Sequence, residues 1–378
     1  MHRVLFWLLL TTCPVVGAAQ SSQFGVRGLG YPGRSLSAHA IGSGGAFGLF
    51  DPESSLNPAA LGNLTVLNAV FTGVQDYRHV ENPAGTASLR EPRFPQVGVG
   101  GPIKAIPLVL GLSFSNYTSR DFTLGAVDTL QLRGQPVETH DTLSSRGGLS
   151  DLRVAGAYRV HDRWTFGGAF HVLTGTNRLE SRRSFSNSAF LATSQKSEIS
   201  YAGIGASVGV MRQFGPTFGI AMIARSDGHV NLDRDSTRVS RVDLPYTVGF
   251  GLRARPLPKL DLGSQVVFRT WSGANSDLLA QGGAGADNTF EVAFGGEFTG
   301  DLKRPYRRVL RFGARYGKLP FLLDPGDQPS EFALSLGTGT RFAQQRAGID
   351  LSVEHVWRRA GDSRERAFLV VIGVSLRP

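Results

Sequence analysis

The stretch Tyr246-Thr-Val-Gly-Phe-Gly-Leu-Arg253 decides the fold. Tyr246, Val248, Phe250 and Leu252 are apolar, while Thr247, Gly249, Gly251 and Arg253 between them are polar or very small. The pattern returns in Phe290, Val292, Phe294 and Phe298 against Glu291, Ala293, Gly295 and Glu297. It returns again in Leu310, Phe312, Ala314 and Tyr316 against Arg311, Gly313, Arg315 and Gly317. Period two means β-strand with one apolar face. Each run spans about 10–13 residues, roughly twice the usual globular strand, and a tilted strand of ~9–11 residues crosses a bilayer. Many such strands without a long apolar helix predict an all-β chain, a transmembrane antiparallel up-and-down β-barrel.

Fourteen runs qualify: 65–77, 94–103, 107–117, 149–160, 163–175, 199–213, 216–227, 244–255, 258–271, 288–299, 307–318, 330–343, 346–358 and 366–377. Tight turns at 103–107, 160–163, 214–216, 255–258 and 343–346 alternate with long polar segments at 78–93, 118–148, 176–198, 228–243, 272–287 and 319–329. That alternation is the one between short periplasmic turns and longer outer loops. It puts both chain ends on the periplasmic side, and 178–192 could add a hairpin arm. A soluble all-β protein also alternates on its wet face. The length and number of the runs argue against it, as do aromatics near strand ends that suit interfacial girdles: Tyr77, Tyr117, Tyr158, Trp164, Tyr201, Tyr246, Trp271, Tyr316 and Trp357.

The N-terminus agrees with this destination. His2 and Arg3, the apolar Val4–Leu10 and the small residues Gly17-Ala18-Ala19 form a secretory signal peptide over 1–19, cleaved near Ala19. Leu10-Thr-Thr-Cys13 loosely resembles a lipobox, with Thr12 a poor fit. Cys13 is the only cysteine, so the mature chain has no thiol chemistry. Charged residues make up 19%, below the ~25% of soluble proteins, and glycine is abundant at 48 residues. The net charge of +10 is spread through strands and loops without a basic helix or stacking motif. It therefore suits a basic lumen near anionic lipid and not a nucleic-acid partner.

The polar faces supply lumen-facing candidates: Arg253, Arg269, Arg311, Arg315, Arg341, Glu291 and Glu354. Asp261 and Gln265 share a face with Arg269, and Asp350, Ser352 and Arg358 share one with Glu354. Opposite charges meeting across a lumen can pair. A barrel of this size cannot fill itself with side chains and needs a plug or keeps a channel. Residues 20–62 are the plug candidate, followed by the barrel over 63–378. They are rich in glycine and punctuated by proline, yet carry Leu36, Ile41, Phe47, Leu49, Phe50 and Leu61.

Within this segment Gly44-Gly45-Ala46-Phe47, Asp51 and Asn57-Pro58-Ala59 resemble the N-terminal hatch of the FadL-like outer-membrane transporters of long-chain fatty acids and other hydrophobic compounds. The resemblance extends to the order of a hatch followed by fourteen strands. It implies a lumen plugged by the hatch and a ligand route from an outer groove to a lumenal site, then sideways through the wall. No motif for ligand-contacting barrel residues can be matched. The chain also ends Val374-Ser-Leu-Arg-Pro378, without the terminal aromatic common in barrel assembly signals.

Other motifs carry less. Gly28-Leu-Gly-Tyr-Pro-Gly33 spells G-x-G-x-x-G, but no strand precedes it and Pro32 sits inside it. Gly205-Ala-Ser-Val-Gly209 spells a nucleophile elbow within a strand, lacking the turn that exposes the serine. His171 falls on a neighbouring strand, without support for a full triad. The histidines show no ligand spacing, and Asp233 and Asp235 read as solvated loop residues. No cofactor, metal or catalysis is expected. The expected function is passive outer-membrane uptake of hydrophobic small molecules, in contact with membrane lipids, lipopolysaccharide and the barrel assembly machinery. A surface-cargo shuttle of a type IX-like secretion system and a general polar porin are the alternatives.

Overall fold

The computed structural model describes residues 22–83, 85–160, 163–234, 237–303 and 309–377. The signal peptide over 1–19, with Cys13 and the Ala19 cleavage site, lies outside them, as does Asp235. The described residues open with a turn of 3-10 helix (Gln23–Gly25), a two-residue strand β1 (Tyr31–Pro32) and a short helix α1 (Ala38–Gly42). Then follow β2 (Asn68–Asn82), β3 (Gly85–Pro102), β4 (Leu108–Ser119), β5 (Phe122–Leu132), β6 (Gln135–Val160), β7 (Trp164–Phe185) and β8 (Thr193–Phe214). Next come β9 (Phe218–Ser226), β10 (His229–Arg234), β11 (Thr237–Asp243), β12 (Tyr246–Leu257), β13 (Leu260–Arg269) and the helix α2 (Asn275–Ala280). The last strands are β14 (Thr289–Thr299), β15 (Val309–Lys318), β16 (Ser330–Phe342), β17 (Ala347–Ala360) and β18 (Ser363–Leu376).

Fourteen of these form one closed antiparallel barrel, because β18 pairs with β2 from Arg364↔Glu81 to Leu376↔Ala69. Each corresponds to one of the runs read from the sequence. β5 is an excursion that folds back on the first half of β6. The hairpin β10–β11 lies against the start of β8.

The structure corrects the length of the segments read as loops. β3, β6, β7 and β8 run far past the apolar stretch, and the 178–192 arm is the paired continuation of β7 and β8, as in Arg182↔Ser194. Gln135–Ser145 with β5, and β10 with β11, add further hairpins. These portions carry polar residues on both faces, as in Thr174-Gly-Thr-Asn-Arg-Leu-Glu-Ser-Arg-Arg183. Strand beyond the hydrocarbon is wet on both sides, so no alternation marks it. The β5–β6 turn places Arg133 and Gly134 at φ 53° and 78°, the left-handed pair of a tight two-residue hairpin.

Burial follows the period-two reading. Phe250, Phe294 and Phe312 are 40%, 55% and 38% exposed on the outer face, while Arg311 and Arg315 are 6% and 3% exposed on the inner one. Tyr77, Tyr158, Tyr246, Tyr316 and Trp357 project outward. Tyr201 and Trp271 do not join an outer girdle, and Tyr117 is half-buried. Trp271 packs on Phe321 and Tyr117 at ring distances of 5.0 and 6.5 Å. These rings belong to an apolar cluster at the long-loop end, with Leu29, Leu173, Val230 and Val242. Proximity to a strand end does not tell a lipid-facing ring from one turned into this cap.

Candidate functional site

Residues 22–64 pack against inward-facing positions of the barrel strands. Local chemistry sets their course first. The Ser37 hydroxyl accepts from the Ala40 N–H at 3.1 Å and caps α1. Asn57 Oδ1 accepts from the Ala59 N–H at 3.0 Å, and its Nδ2 donates to the Leu49 carbonyl at 2.8 Å. Pro58 occupies the first position of the turn of 3-10 helix Pro58–Asn63, where a missing N–H costs nothing. Gly44 and Gly45 turn the chain with φ of 69° and 93°.

The inner wall is shaped to receive this backbone. A Cβ added at Gly295 would lie 2.2 Å from the Ser43 carbonyl oxygen, and one at Gly209 would lie 2.0 Å from Asn57 Oδ1. One at Gly167 would lie 2.3 Å from the Ala59 nitrogen, and one at Gly263 would lie 2.7 Å from the Phe47 ring. The bare inner positions of β7, β8, β13 and β14 are thus occupied by the N-terminal segment. Leu49, Phe50, Ala59 and Ala60 bury themselves against Met211, Ala221 and Ile223.

Two charged networks bind the segment to the wall. In the first, Arg315 pairs with Glu331 and lies 3.5 Å from Glu354 and 3.7 Å from Glu291. Arg358 bridges Glu331 and Glu365, and Arg78 joins Asp76 and Glu365. The segment reaches this network at three points. Ser22 Oγ donates to Glu365 at 2.9 Å, the Tyr31 hydroxyl donates to Glu331, and Arg34 Nη1 donates to Glu354 at 2.9 Å. In the second network, Arg311 binds Glu297 at 2.7 Å and Asp350 at 2.5 Å, and His39 Nε2 lies 2.8 Å from the same Glu297.

His39 also lies 3.7 Å from Asp51. Burial and Arg311 oppose its charge, but its hydrogen bonds to Asp51 and Glu297 and the Glu297 charge win, raising its pKa to about 10. Burial pushes Asp51 up, but His39 and the Ser37 and Ser54 hydroxyls outweigh it and hold the carboxyl below its usual range.

Beside this segment the wall is incomplete. β3 pairs with β2 along its length, yet with β4 from Gln96 to Pro102. In the stretch Glu91-Pro-Arg-Phe-Pro95, two prolines remove ladder donors, and a register shift falls opposite it between Thr72 and Val74. β4 instead turns Thr118 and Ser119 to β1 and β6. At this gap lies a cavity of about 350 Å³ between the N-terminal segment and the wall. Leu36, Ile41, Val74, Phe94, Leu369 and Val371 give it apolar lining, and seven charged side chains line the rest: Arg34, Arg93, Arg315, Arg358, Glu91, Asp121 and Glu354.

The structure gathers Arg315, Glu291 and Glu354, and Arg269 shares a smaller cavity of about 40 Å³ with Arg315 and Glu291. Arg311 belongs to the second network. Arg253 stands apart with Asp261 at 2.9 Å, its guanidinium 6.0 Å from the Phe47 ring centre. Arg341 lies opposite Gly348, near the end of β16. Sequence reading missed Tyr31, Arg34, Asp76, Glu331 and Glu365. Asp76 and Glu331 fall within alternating runs, so parity could have found them, whereas Glu365 stands just before the run 366–377 and shares its parity with Ala367, Leu369 and Val371. The partners of Tyr31 and Arg34 lie some 300 residues away, beyond any local signal.

The structure also brings together a serine, a histidine and an aspartate that the spacing of residues does not link. His171 Nε2 is 2.9 Å from Ser207 Oγ, and its Nδ1 is 2.9 Å from Asp151. Ser207, however, stands in an unbroken strand laddered to Ala169 and Arg225, so the turn that would present a nucleophile is replaced by regular sheet. Asp151 is shared with Arg225 at 2.8 Å. The arrangement is a buried polar network, and all three side chains are at most 3% exposed.

No family model matches the chain, and no curated protein matches it. Solved structures do. A FadL homologue of Pseudomonas aeruginosa superposes with a TM-score of 0.62 at 13% identity, covering 92% of this chain and 99% of that one. The CymD monoaromatic hydrocarbon channel gives 0.57 at 12% identity over 91% and 98%. The toluene transporter TodX of Pseudomonas putida gives 0.55 at 12% identity over 92% and 99%. Likeness at this level of identity establishes architecture, and the architecture of this chain is that of a FadL-like transmembrane β-barrel.

Proposed function

We propose that this protein is an outer-membrane channel for passive uptake of hydrophobic small molecules, with the N-terminal segment as its plug. The observation that carries the reading is the 350 Å³ cavity between that segment and the β3–β4 gap, where an apolar surface of Leu36, Ile41, Val74, Phe94, Leu369 and Val371 stands beside charged groups. An apolar molecule entering such a cavity gains roughly 25 cal/mol for each Å² removed from water. The gap offers a sideways exit where Phe94, 70% exposed, stands at the wall. Gradient and partitioning drive the passage, and no covalent step is involved. Membrane lipid, lipopolysaccharide on the outer leaflet and the barrel assembly machinery are the surroundings this reading requires. The likeness to a toluene transporter and a monoaromatic hydrocarbon channel supports aromatic hydrocarbons as cargo, and the likeness to a FadL homologue supports longer aliphatic compounds.

The test is uptake. Cells lacking the protein should take up labelled toluene or a long-chain aliphatic compound more slowly than cells with it, and Phe94→Asp at the gap should reproduce part of the loss. Unchanged uptake of both, with loss of a surface-attached secreted protein, would replace the channel with a cargo shuttle. Increased permeation of sugars through the wild-type barrel would make it a polar pore.

A further inference from the structure

Among the described residues, five arginines are buried, and one of them lies next to a cavity without a carboxylate partner. Arg153, on β6 opposite His171, is 3% exposed. Its Nε and Nη2 are buried without a hydrogen-bond partner, and among the described residues it makes no ion pair. The other buried arginines, Arg78, Arg311, Arg315 and Arg358, each hold a carboxylate. The two carboxylates on hand are engaged elsewhere. Asp151 serves His171 and Arg225 at 2.9 and 2.8 Å. Glu53 accepts from Asn68 Nδ2 at 3.0 Å and lies 3.5 Å from Arg377. A buried guanidinium without a counter-charge is among the most expensive groups a protein can hold.

Arg153 lines a cavity of about 30 Å³ between the N-terminal segment and the wall, together with Glu53, Ser55, Ser113 and the bare backbone of Gly98 and Gly111. By the same measure a water needs about 10–15 Å³, so the space admits one small group and no hydrocarbon tail. We propose that Arg153 binds a small monovalent anion, a halide or a single carboxylate group, that bridges the wall and the N-terminal segment. The charge fits one unpaired guanidinium, and the planar fork of donors suits a carboxylate. Burial, with Asp51 and Asp350 nearby, raises the pKa of Glu53, which lessens the repulsion it offers an anion in the same cavity. The group has two sources: a free anion from solution, or the head of an amphipathic carboxylate whose tail lies outside the cavity. The second source alone rests on the proposed channel function.

The full chain in detergent supplies the test. At constant ionic strength, sodium gluconate, whose anion is too large for the cavity, is replaced by bromide or acetate while the thermal midpoint is followed. Wild type should show a saturable rise. Arg153→Met should bind the anion about 10- to 100-fold more weakly, the worth of a charge-assisted hydrogen bond. In bromide-soaked crystals an anomalous peak should stand within hydrogen-bond distance of Arg153. Dodecanoate that removes the peak, where its methyl ester does not, identifies the ligand head as the source. A peak displaced by acetate but not by dodecanoate identifies a free anion. A wild-type midpoint indifferent to the replacement, or an Arg153→Met protein that keeps the response, overturns the site. If Arg153→Met does not fold, the wild-type peak decides, and a bromide bound elsewhere but not at Arg153 overturns it equally.

Discussion

Arg34 in the N-terminal segment and Glu354 on β17 are joined by two hydrogen bonds of 2.9 and 3.0 Å across 320 positions of sequence. Glu354 is also held by Ser335 at 3.2 Å and lies 3.5 Å from Arg315. Removing Arg34 therefore leaves the carboxylate with partners on the wall, whereas the segment loses one of its three ties to that network. Arg34→Met should shift the barrel's thermal midpoint little and raise single-channel conductance in planar bilayers. Glu354→Gln, which leaves Arg34 without its carboxylate while Arg315 keeps Glu331, should cost about 3–5 kcal/mol. Equal loss of barrel stability from both changes would show that the segment and the wall fold as one unit.

The inner glycines offer a steric test of the same packing. Gly313 approaches Ser43 so closely that a Cβ would lie 2.2 Å from its carbonyl carbon. Gly313→Val should expel the segment from the wall while leaving the strand paired, since valine is well suited to strands. Limited proteolysis should then cut within 22–64 under conditions where the wild-type segment is resistant. Unchanged protection would mean that the backbone shifts to accept the side chain.

The outer face carries its own prediction. Phe294 is 55% exposed between inward-facing Ala293 and Gly295. Phe294→Arg near the bilayer midplane should destabilise the barrel by ~2–4 kcal/mol, measured by denaturant-induced unfolding in lipid vesicles. A spin label at Phe294 that reports water, with lipid reported at Gly295, would overturn the register.

The His39–Asp51–Glu297 contact makes docking of the segment pH-dependent. His39 is raised from 6.5 to about 10, so its contribution is complete below pH 6.5 and is lost as pH rises through about 10. Asp51 is lowered from 3.8, so its contribution is present above pH 3.8 and is lost as pH falls through its depressed value. Docking should be strongest between these limits and weaken steadily on the alkaline side. Protease sensitivity of residues 22–64 should rise with pH in wild type, and His39→Gln should remove that dependence. A flat wild-type profile would show that His39 stays neutral.

The sequence by itself determined the wall. Alternation around Phe250, Phe294 and Phe312 settles which face meets lipid, because a period of two allows one partition, and the short turns fix which strands are neighbours. Asn57-Pro58 is a turn-favouring pair, and the bond by which Asn57 caps the turn, to the Ala59 N–H, is local. The tertiary structure alone decided where that turn would lie, on Gly167 and Gly209, and that Arg34 and Tyr31 would find Glu354 and Glu331. Those partners lie 320 and 300 positions apart in sequence, a separation with no local signature. The paired extensions of β7 and β8 were equally silent, since both of their faces meet water. The incomplete wall at Pro92–Pro95 had a visible cause in the two prolines. It became a gap only because β4 spends Thr118 and Ser119 on β1 and β6, a choice set by packing and not by any residue in the gap itself.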